Sequence, residues 1–284
     1  MPVCHLPDRG VVSVSGPEAR NFLDNVLTVS IEGLTKGDAV YGGLLTPQGK
    51  IVVDGIIFAT DAGVLIDCPR LLAGDLARRL GFYKLRAKIE IANLSDDMAV
   101  YAGWGSDPSR DYEGYCANDP RLSTLGERIL VAVAQSIATD ATENDYHAHR
   151  IALGVPEGGR DFVYGDSFPH EADMDQLHGI DFGKGCYVGQ EVVSRMQHRG
   201  TARTRCMPVR FSEGTAPTEG TEALAGEKIC GRIGSSTPAG QAIALLRLDR
   251  IAEAIKAGDL VSAGGYSFSV ERRDWMRFDL EGIA

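Results

Sequence analysis

Lys184-Gly185-Cys186-Tyr187-Val188-Gly189-Gln190-Glu191 sets a cysteine among glycines, just ahead of a run that predicts a helix over 189–199. Glycines at such places let the backbone approach a ligand closely or turn at positive φ. Lys184 stands two residues before the thiol, and a helix N-terminus follows it. A nearby cation and a helix N-terminus both favour thiolate over thiol. Cys186 is therefore a candidate working thiol with Lys184 beside it; the plainer alternative is a small residue packed at a glycine turn. A nucleophilic cysteine also wants a histidine base. His170, His178 and His198 are near in sequence, and no spacing singles one out. Gln190 and Glu191 fall in the first helical turn, where Glu191 complements the helix dipole. An amide beside a carboxylate also suits the donor-rich edge of a ligand.

Downstream, Arg195, His198, Arg199, Arg203 and Arg205 form a basic stripe. It reads either as a solvated face or as a site that grips carboxylates or phosphates through bidentate arginine contacts. Upstream, Glu171, Asp173, Asp175 and Asp181 form an acidic group. Hard cations like such oxygens, but the calcium-loop spacing is lacking, so no metal site is expected.

Further out, Val11–Ser15 predicts a strand and Gly16-Pro17-Glu18 a helix start, with Phe22, Leu23, Val26 and Leu27 at core spacing. Strands over 39–45 and 50–59 flank Thr46-Pro47-Gln48-Gly49, whose turn chemistry predicts a hairpin. A strand over 64–68, a helix over 70–80 and strands over 88–93, 98–104 and 129–133 follow, with 107–127 read as loop holding at most a short strand. Strands and helices in this order predict a small α+β unit. A helix over 143–153 stops at Gly154 with Pro156 beyond. The stretch 158–185 is irregular, as functional segments often are. Beyond residue 204, strands over 205–211, 227–235, 241–248 and 266–272, with one helical turn at 251–255, predict a small antiparallel β-barrel.

The chain has 284 residues, which implies more than one packed unit. Its 29 basic and 39 acidic residues leave a net charge of −10, so nucleic acid is not expected as a direct partner. No stretch approaches the roughly 20 apolar residues that span a bilayer, and no membrane partner is expected. The first residues carry no leader pattern, and the expected location is the cytoplasm. The six cysteines are scattered without a C-x-x-C pair, which argues against a disulfide framework and against a resident zinc or cluster site within one chain. Five of them read as small buried hydrophobes.

The string at 184–191 matches every fixed position of K-G-C-Y-x-G-Q-E, and the chain thereby resembles the YgfZ family. Pro169-His170-Glu171, Gly179-Ile180-Asp181-Phe182, Arg199-Gly200 and Arg203 resemble the flanks of that motif. Gly16-Pro17-Glu18-Ala19 and Leu45 to Lys50 resemble the family's N-terminal half, and Arg150-Ile151 with Gly154-Val155-Pro156 resembles its helix end before the motif. The family is related to the aminomethyltransferase (T-protein) of glycine cleavage. The resemblance implies an α+β, T-protein-like multi-domain arrangement with a ferredoxin-like unit and a small C-terminal antiparallel β-barrel. It implies a folate-binding core over 1–46 and 140–204, a ferredoxin-like unit over 47–139, and the barrel over 205–284.

The same resemblance implies a folate-binding accessory protein of iron–sulfur cluster assembly or repair, linked in bacteria to tRNA modification. Tetrahydrofolate or a derivative would be bound by Asp54, Glu171, Tyr187, Gln190, Glu191, Arg195 and Arg203. Cys186 and Lys184 would act on, or transiently ligate, an iron–sulfur cluster shared with assembly proteins or client enzymes. One departure stands out. Val53 occupies a position where T-proteins carry an aspartate, leaving Asp54 as the single carboxylate. That argues against the alternative of a tetrahydrofolate-dependent aminomethyltransferase or demethylase, although any catalysis would be of this one-carbon type. A third reading is a module that binds RNA or protein through the basic stripe.

Overall fold

In the computed structural model, residues 2–105, 113–135, 137–200, 202–280 and 282–283 are described. Two compact units divide the chain. The first comprises Met1–Tyr146 and Leu177–Gln190, the second His147–Gln176 and Glu191–Ala284.

In the first unit, β1 (Val3–His5) and β2 (Arg9–Ser15) precede helix α1 (Ala19–Asp24). The hairpin β3 (Ala39–Leu45) and β4 (Ile51–Ala59) follows, then β5 (Gly63–Pro69), helix α2 (Arg70–Lys84) and β6 (Glu90–Asn93). These build a five-stranded sheet in the order β3-β4-β5-β2-β6, with every neighbouring pair antiparallel. Within it, β2-α1-β4-β5-α2-β6 is a ferredoxin-like split β-α-β. β3 is added at the outer edge. The apolar side chains of α1 (Ala19, Leu23) and α2 (Ala73, Leu76, Leu80) are buried against Val12, Val14, Ile57, Val64 and Ile66 of the sheet. Strand residues alternate faces and helix residues recur every three or four, so the two patterns meet in one core.

A second sheet, in the order β1-β7-β9-β8, uses β7 (Met98–Gly103), β8 (Tyr115–Asn118) and β9 (Glu127–Ala132). Charge links the two sheets. Asp67 on β5 accepts from Arg9 Nε at 2.7 Å and from Arg128 Nη1 of β9 at 3.0 Å. Buried ions of this kind persist only when both partners are well hydrogen-bonded.

The barrel begins at β10 as expected, but the boundary expected at 46/47 does not follow the packing. The proposed cut at residues 46/47 falls in the turn of the β3–β4 hairpin, whose strands pair from Ala39↔Phe58 to Leu45↔Ile51. The ferredoxin-like pattern starts at β2, not at residue 47. A tight turn joins two paired strands of one sheet, so a turn signal is a poor place for a domain boundary. Strand β8 is the short strand that the stretch 107–127 left room for.

The second unit carries the barrel. Helix α3 (Glu143–Ala152) leads into it, and α4 (Gln190–Arg199) precedes β10 (Thr204–Phe211). The barrel continues with β11 (Glu222–Ala225), β12 (Lys228–Ser236), β13 (Gln241–Arg247), helix α5 (Leu248–Ala257), β14 (Val261–Ala263) and β15 (Tyr266–Val270). The six strands close in the order β10-β13-β12-β11-β14-β15, and β15 pairs with β10. This is the antiparallel barrel expected, and closure removes its free edges. Met207, Val209, Phe211, Ile233, Leu246 and Phe268 fill it, and α5 adds Leu248, Ile251 and Ala254 to the same cluster. Helix α5 runs ten residues where one turn was expected. The short strands β11 and β14 escaped the sequence reading because three or four residues show little alternation. No helix among the described residues is long and apolar enough to cross a membrane.

Candidate functional site

Of the six cysteines, only Cys186 is exposed. Cys4, Cys68, Cys206 and Cys230 are buried and Cys116 is half-buried. Burial pushes the Cys68 thiol up to about 12 and those of Cys4 and Cys230 up to about 11. Burial, with Glu127 beside it, holds Cys116 at about 12. Thiols so raised remain protonated and unreactive at neutral pH. The one thiol open to a partner is the one in the motif.

The loop that presents Cys186 is held from below by the first unit. Lys184 Nζ donates to the carbonyl oxygens of Asp24, Leu27 (2.9 Å) and Val29 (2.8 Å). Its side chain is 2% exposed. An ammonium has three N–H donors, and all three are engaged by backbone. Burial lowers the Lys184 pKa, partly offset by Asp24 and Asp181. Lys184 was expected to act on the thiol; the structure assigns it instead to the segment following α1, where it anchors the loop. The residue type was right for a cation, but the sequence does not show which acceptors it meets.

Other ties share the task. The backbone N–H of Asp181 donates to Thr28 O at 2.9 Å. Thr28 Oγ1 donates to Gly179 O at 2.6 Å and accepts from Gly43 N at 2.9 Å. Val188 packs against the first unit's core. Gly189 has φ +82°, and a β-carbon there would lie 2.6 Å from Thr46 O and 3.1 Å from Gly49 Cα. The tip of the β3–β4 hairpin thus requires glycine at this position. Sequence reasoning missed Thr28 and Asp24, since contacts spanning some 150 residues leave no local signal.

Tyr187 is buried, and its hydroxyl has no partner among the described residues. Burial, reinforced by Asp181, pushes it up to about 12. Gln190 Nε2 reaches Gly185 O at 3.4 Å, a long contact back to the loop. Asp54 lies buried on β4 and accepts from Tyr41 Oη at 2.6 Å. The Arg121 guanidinium stands 5.7 Å from the centre of the Tyr41 ring. Arg121 is itself forked onto Asp119 at 2.9 and 2.7 Å.

In the second unit, the basic stripe does not form one patch. Arg195 pairs with Glu191 at 2.6 Å along exposed α4, so these two predicted ligand-binding side chains bind each other. The exposed Arg203 lies 3.9 Å from Asp249. Arg205 is buried and forks onto Asp175 at 2.5 and 3.0 Å, reaches Asp173 at 3.2 Å and donates to His170 O at 2.8 Å. The acidic group upstream is largely this arginine's counter-charge. Glu171 Oε2 accepts from Phe168 N at 2.8 Å, closing a local turn. His170 is bonded to Gln197 at 3.1 Å, and burial lowers its pKa. A strand period of two and a helix period of 3.6 disperse side chains that are close in sequence.

Comparisons with known proteins bear on the whole chain. A family profile, the CAF17 C-terminal beta-barrel domain, matches residues 203–278. The iron–sulfur cluster assembly factor IBA57 homolog, mitochondrial, of Neurospora crassa is 35% identical over 238 residues, covering 75% of this chain and 54% of the relative. The mitochondrial iron–sulfur cluster assembly factor IBA57 of Homo sapiens is 31% identical over 242 residues, covering 76% of this chain and 67% of the relative. The chain spans about half the length of the Neurospora relative. The crystal structure of the glycine cleavage system aminomethyltransferase T from Bartonella henselae superposes with a TM-score of 0.75 at 16% identity, covering 96% of this chain and 86% of that one. This shows the T-protein-like fold. The relatives carry the IBA57 name, not the YgfZ name that the motif suggested. They are also named as mitochondrial proteins, which overturns the expected cytoplasmic location.

Proposed function

We propose a role in iron–sulfur cluster assembly for this chain, which belongs to the IBA57 family of iron–sulfur cluster assembly factors. Cys186 is the working thiol, and its contribution is to ligate transiently a cluster shared with an assembly protein or client enzyme. The observation that carries this reading is that one thiol in six is exposed, and that it sits on a loop pinned by buried backbone ties. A single thiolate cannot complete the coordination of a cluster, so a partner must supply the other ligands. This chain's part is to hold one sulfur in a fixed place at low reorganisation cost.

Folate binding is a further part of the reading, resting on the T-protein-like fold. The donor set fits: a buried carboxylate at Asp54, ordered by Tyr41, suits the donor-rich edge of a pterin. Folate would supply one-carbon chemistry or serve as a structural ligand. Val53 is buried in the sheet where T-proteins carry a second acid, so proton transfer of the T-protein kind has no carboxylate at this position.

The decisive experiment measures cluster assembly and tetrahydrofolate binding on the same preparations of wild type, Cys186→Ala and Asp54→Asn. The expected result is that Cys186→Ala loses assembly and keeps folate binding, while Asp54→Asn weakens folate binding. Full assembly activity in Cys186→Ala would remove the thiol from the function. Turnover of methylated amines with tetrahydrofolate would establish a one-carbon transferase instead.

A further inference from the structure

At its C-terminal end, α2 runs into Phe82-Tyr83-Lys84-Leu85-Arg86-Ala87-Lys88, which breaks two habits of surface chemistry. First, it exposes large apolar side chains. Leu85 is 90% exposed and Phe82 67% exposed. Second, Leu85 ends the helix at φ 46° and ψ −108°. A γ-branched residue at positive φ pays a steric cost that glycine would avoid. Strain of this kind, with an apolar side chain directed to solvent, marks a place kept for contact and not for stability.

The charge around Leu85 is also out of character. In a chain of net charge −10, Lys84, Arg86 and Lys88 fall within five residues. None has an ion-pair partner among the described residues. Arg78 and Arg79, one turn earlier, are by contrast both engaged by Asp75.

The segment borders a groove of about 310 Å³ whose other wall is α1. Phe22 of α1 and Val26 just beyond it line that wall, and Tyr83 and Leu85 line the near side. Val188 also lines it, two residues from Cys186. The groove therefore runs up to the loop that presents the exposed thiol, and both belong to the same unit.

We propose that this groove is the docking surface for the protein that shares the cluster with Cys186, and that this protein inserts a segment with an apolar anchor flanked by aspartate or glutamate. The inference rests on the cluster-assembly reading given above and adds to it the place and chemistry of the partner. Lys84 and Arg86 on the lining, with Lys88 beside them, outnumber the one acid there, Glu18, whose carboxylate already accepts from Lys88 N, and so call for an anionic segment; steering between opposite charges speeds the encounter. The apolar lining decides between kinds of anion. A nucleic acid backbone would use the cations and leave Leu85 and the half-buried Phe22 unserved, whereas an apolar side chain in the groove uses both. Docking beside Val188 brings the partner's own cluster ligands within reach of Cys186.

The test is a photo-crosslinker, p-benzoylphenylalanine, placed at position 85 of the full chain in cells, with a control at Leu71, which is 97% exposed at the other end of α2. Adducts are identified by mass spectrometry down to the crosslinked peptide. The expected adduct at 85, absent at 71, is an acidic peptide containing an apolar residue from an iron–sulfur protein. Its yield falls about tenfold in Arg86→Glu/Lys88→Glu, because like charge now faces the partner. Cys186→Ser leaves the adduct in place, so docking and cluster ligation are read separately. Leu85→Gly relieves the backbone, holds or raises the melting temperature, and still slows cluster assembly. An adduct with RNA or with a second copy, yields equal to those at Leu71, or full assembly activity in both Leu85→Gly and Arg86→Glu/Lys88→Glu would overturn the proposal. If Cys186→Ala keeps assembly while the acidic adduct persists, the thiol's role fails and the docking surface stands.

Discussion

The loop at 181–189 and the stripe at 195–205 both carry charged residues that suit a ligand, and the two regions use charge in opposite ways. In the loop, the buried cation Lys184 gives its hydrogen bonds to backbone carbonyls, with the Asp24 carboxylate farther off at 3.9 Å, and fixes the chain's path, leaving Cys186 outside. In the stripe, arginines bond to carboxylates: Arg195 to Glu191 on the surface, Arg205 to Asp175 and Asp173 inside. Charge spent on backbone shapes a loop. Charge spent on carboxylates cancels, and the basic patch disappears.

The sharpest way to break this comparison is Arg205→Ala. It leaves Asp173 and Asp175 without their cation, and loss of a partner from a buried pair costs about 3–5 kcal/mol. Denaturant unfolding should show that loss, and stability unchanged within about 0.5 kcal/mol would mean that the carboxylates are relieved by solvent.

Lys184→Met comes next. It strands three carbonyls, and hydrogen bonds to a charged group are worth about 1.5–3 kcal/mol. Proteolysis should then cut near residue 184 at a rate wild type does not show, and cluster assembly should fall. Lys184→Met with normal assembly would make the anchor dispensable.

A smaller effect sharpens the contrast at Asp173. Burial raises its carboxyl well above the usual range, and the Asp175 charge adds to this against the pull of Arg205. One of its oxygens has no hydrogen-bond partner among the described residues. A folded-state value raised above the unfolded one means the native state holds the proton longer. That stability is present below the unfolded value near 3.8 and is lost as pH rises through the folded value. Asp173→Asn should flatten this part of the stability–pH curve. An unchanged curve would assign the slope to other groups.

The smallest stability effect belongs to Cys186→Ala, expected to shift unfolding by less than about 0.5 kcal/mol because the side chain is exposed. Thiol labelling should find one fast cysteine in the native wild type and none in this variant. A second fast thiol would mean that one of the buried cysteines opens readily.

Much of this architecture was legible in the chain. Val11–Ser15, the hairpin about Thr46-Pro47-Gln48-Gly49, the apolar face of α2 and the barrel strands all announce themselves by period and turn chemistry, which act over a few residues. The fold class followed from their order, and Cys186 from its glycine-rich setting. The domain boundary at 46/47 was misplaced because a tight turn looks alike inside a sheet and between domains. Thr28, Asp24 and Tyr41 had no signal, since what matters is a contact made far along the chain.

The sequence by itself determined the longer strands and helices, that the C-terminal part closes as a barrel, and that one cysteine stands apart from five. Those are matters of local periodicity, φ preference and residue type. Only the tertiary structure decided that Lys184 anchors a loop, that Arg205 is consumed by Asp173 and Asp175, and that Val188 borders a groove lined by Leu85. Hydrogen bonds and ion pairs reach about 3 Å, and which groups come that close is settled only when distant segments pack.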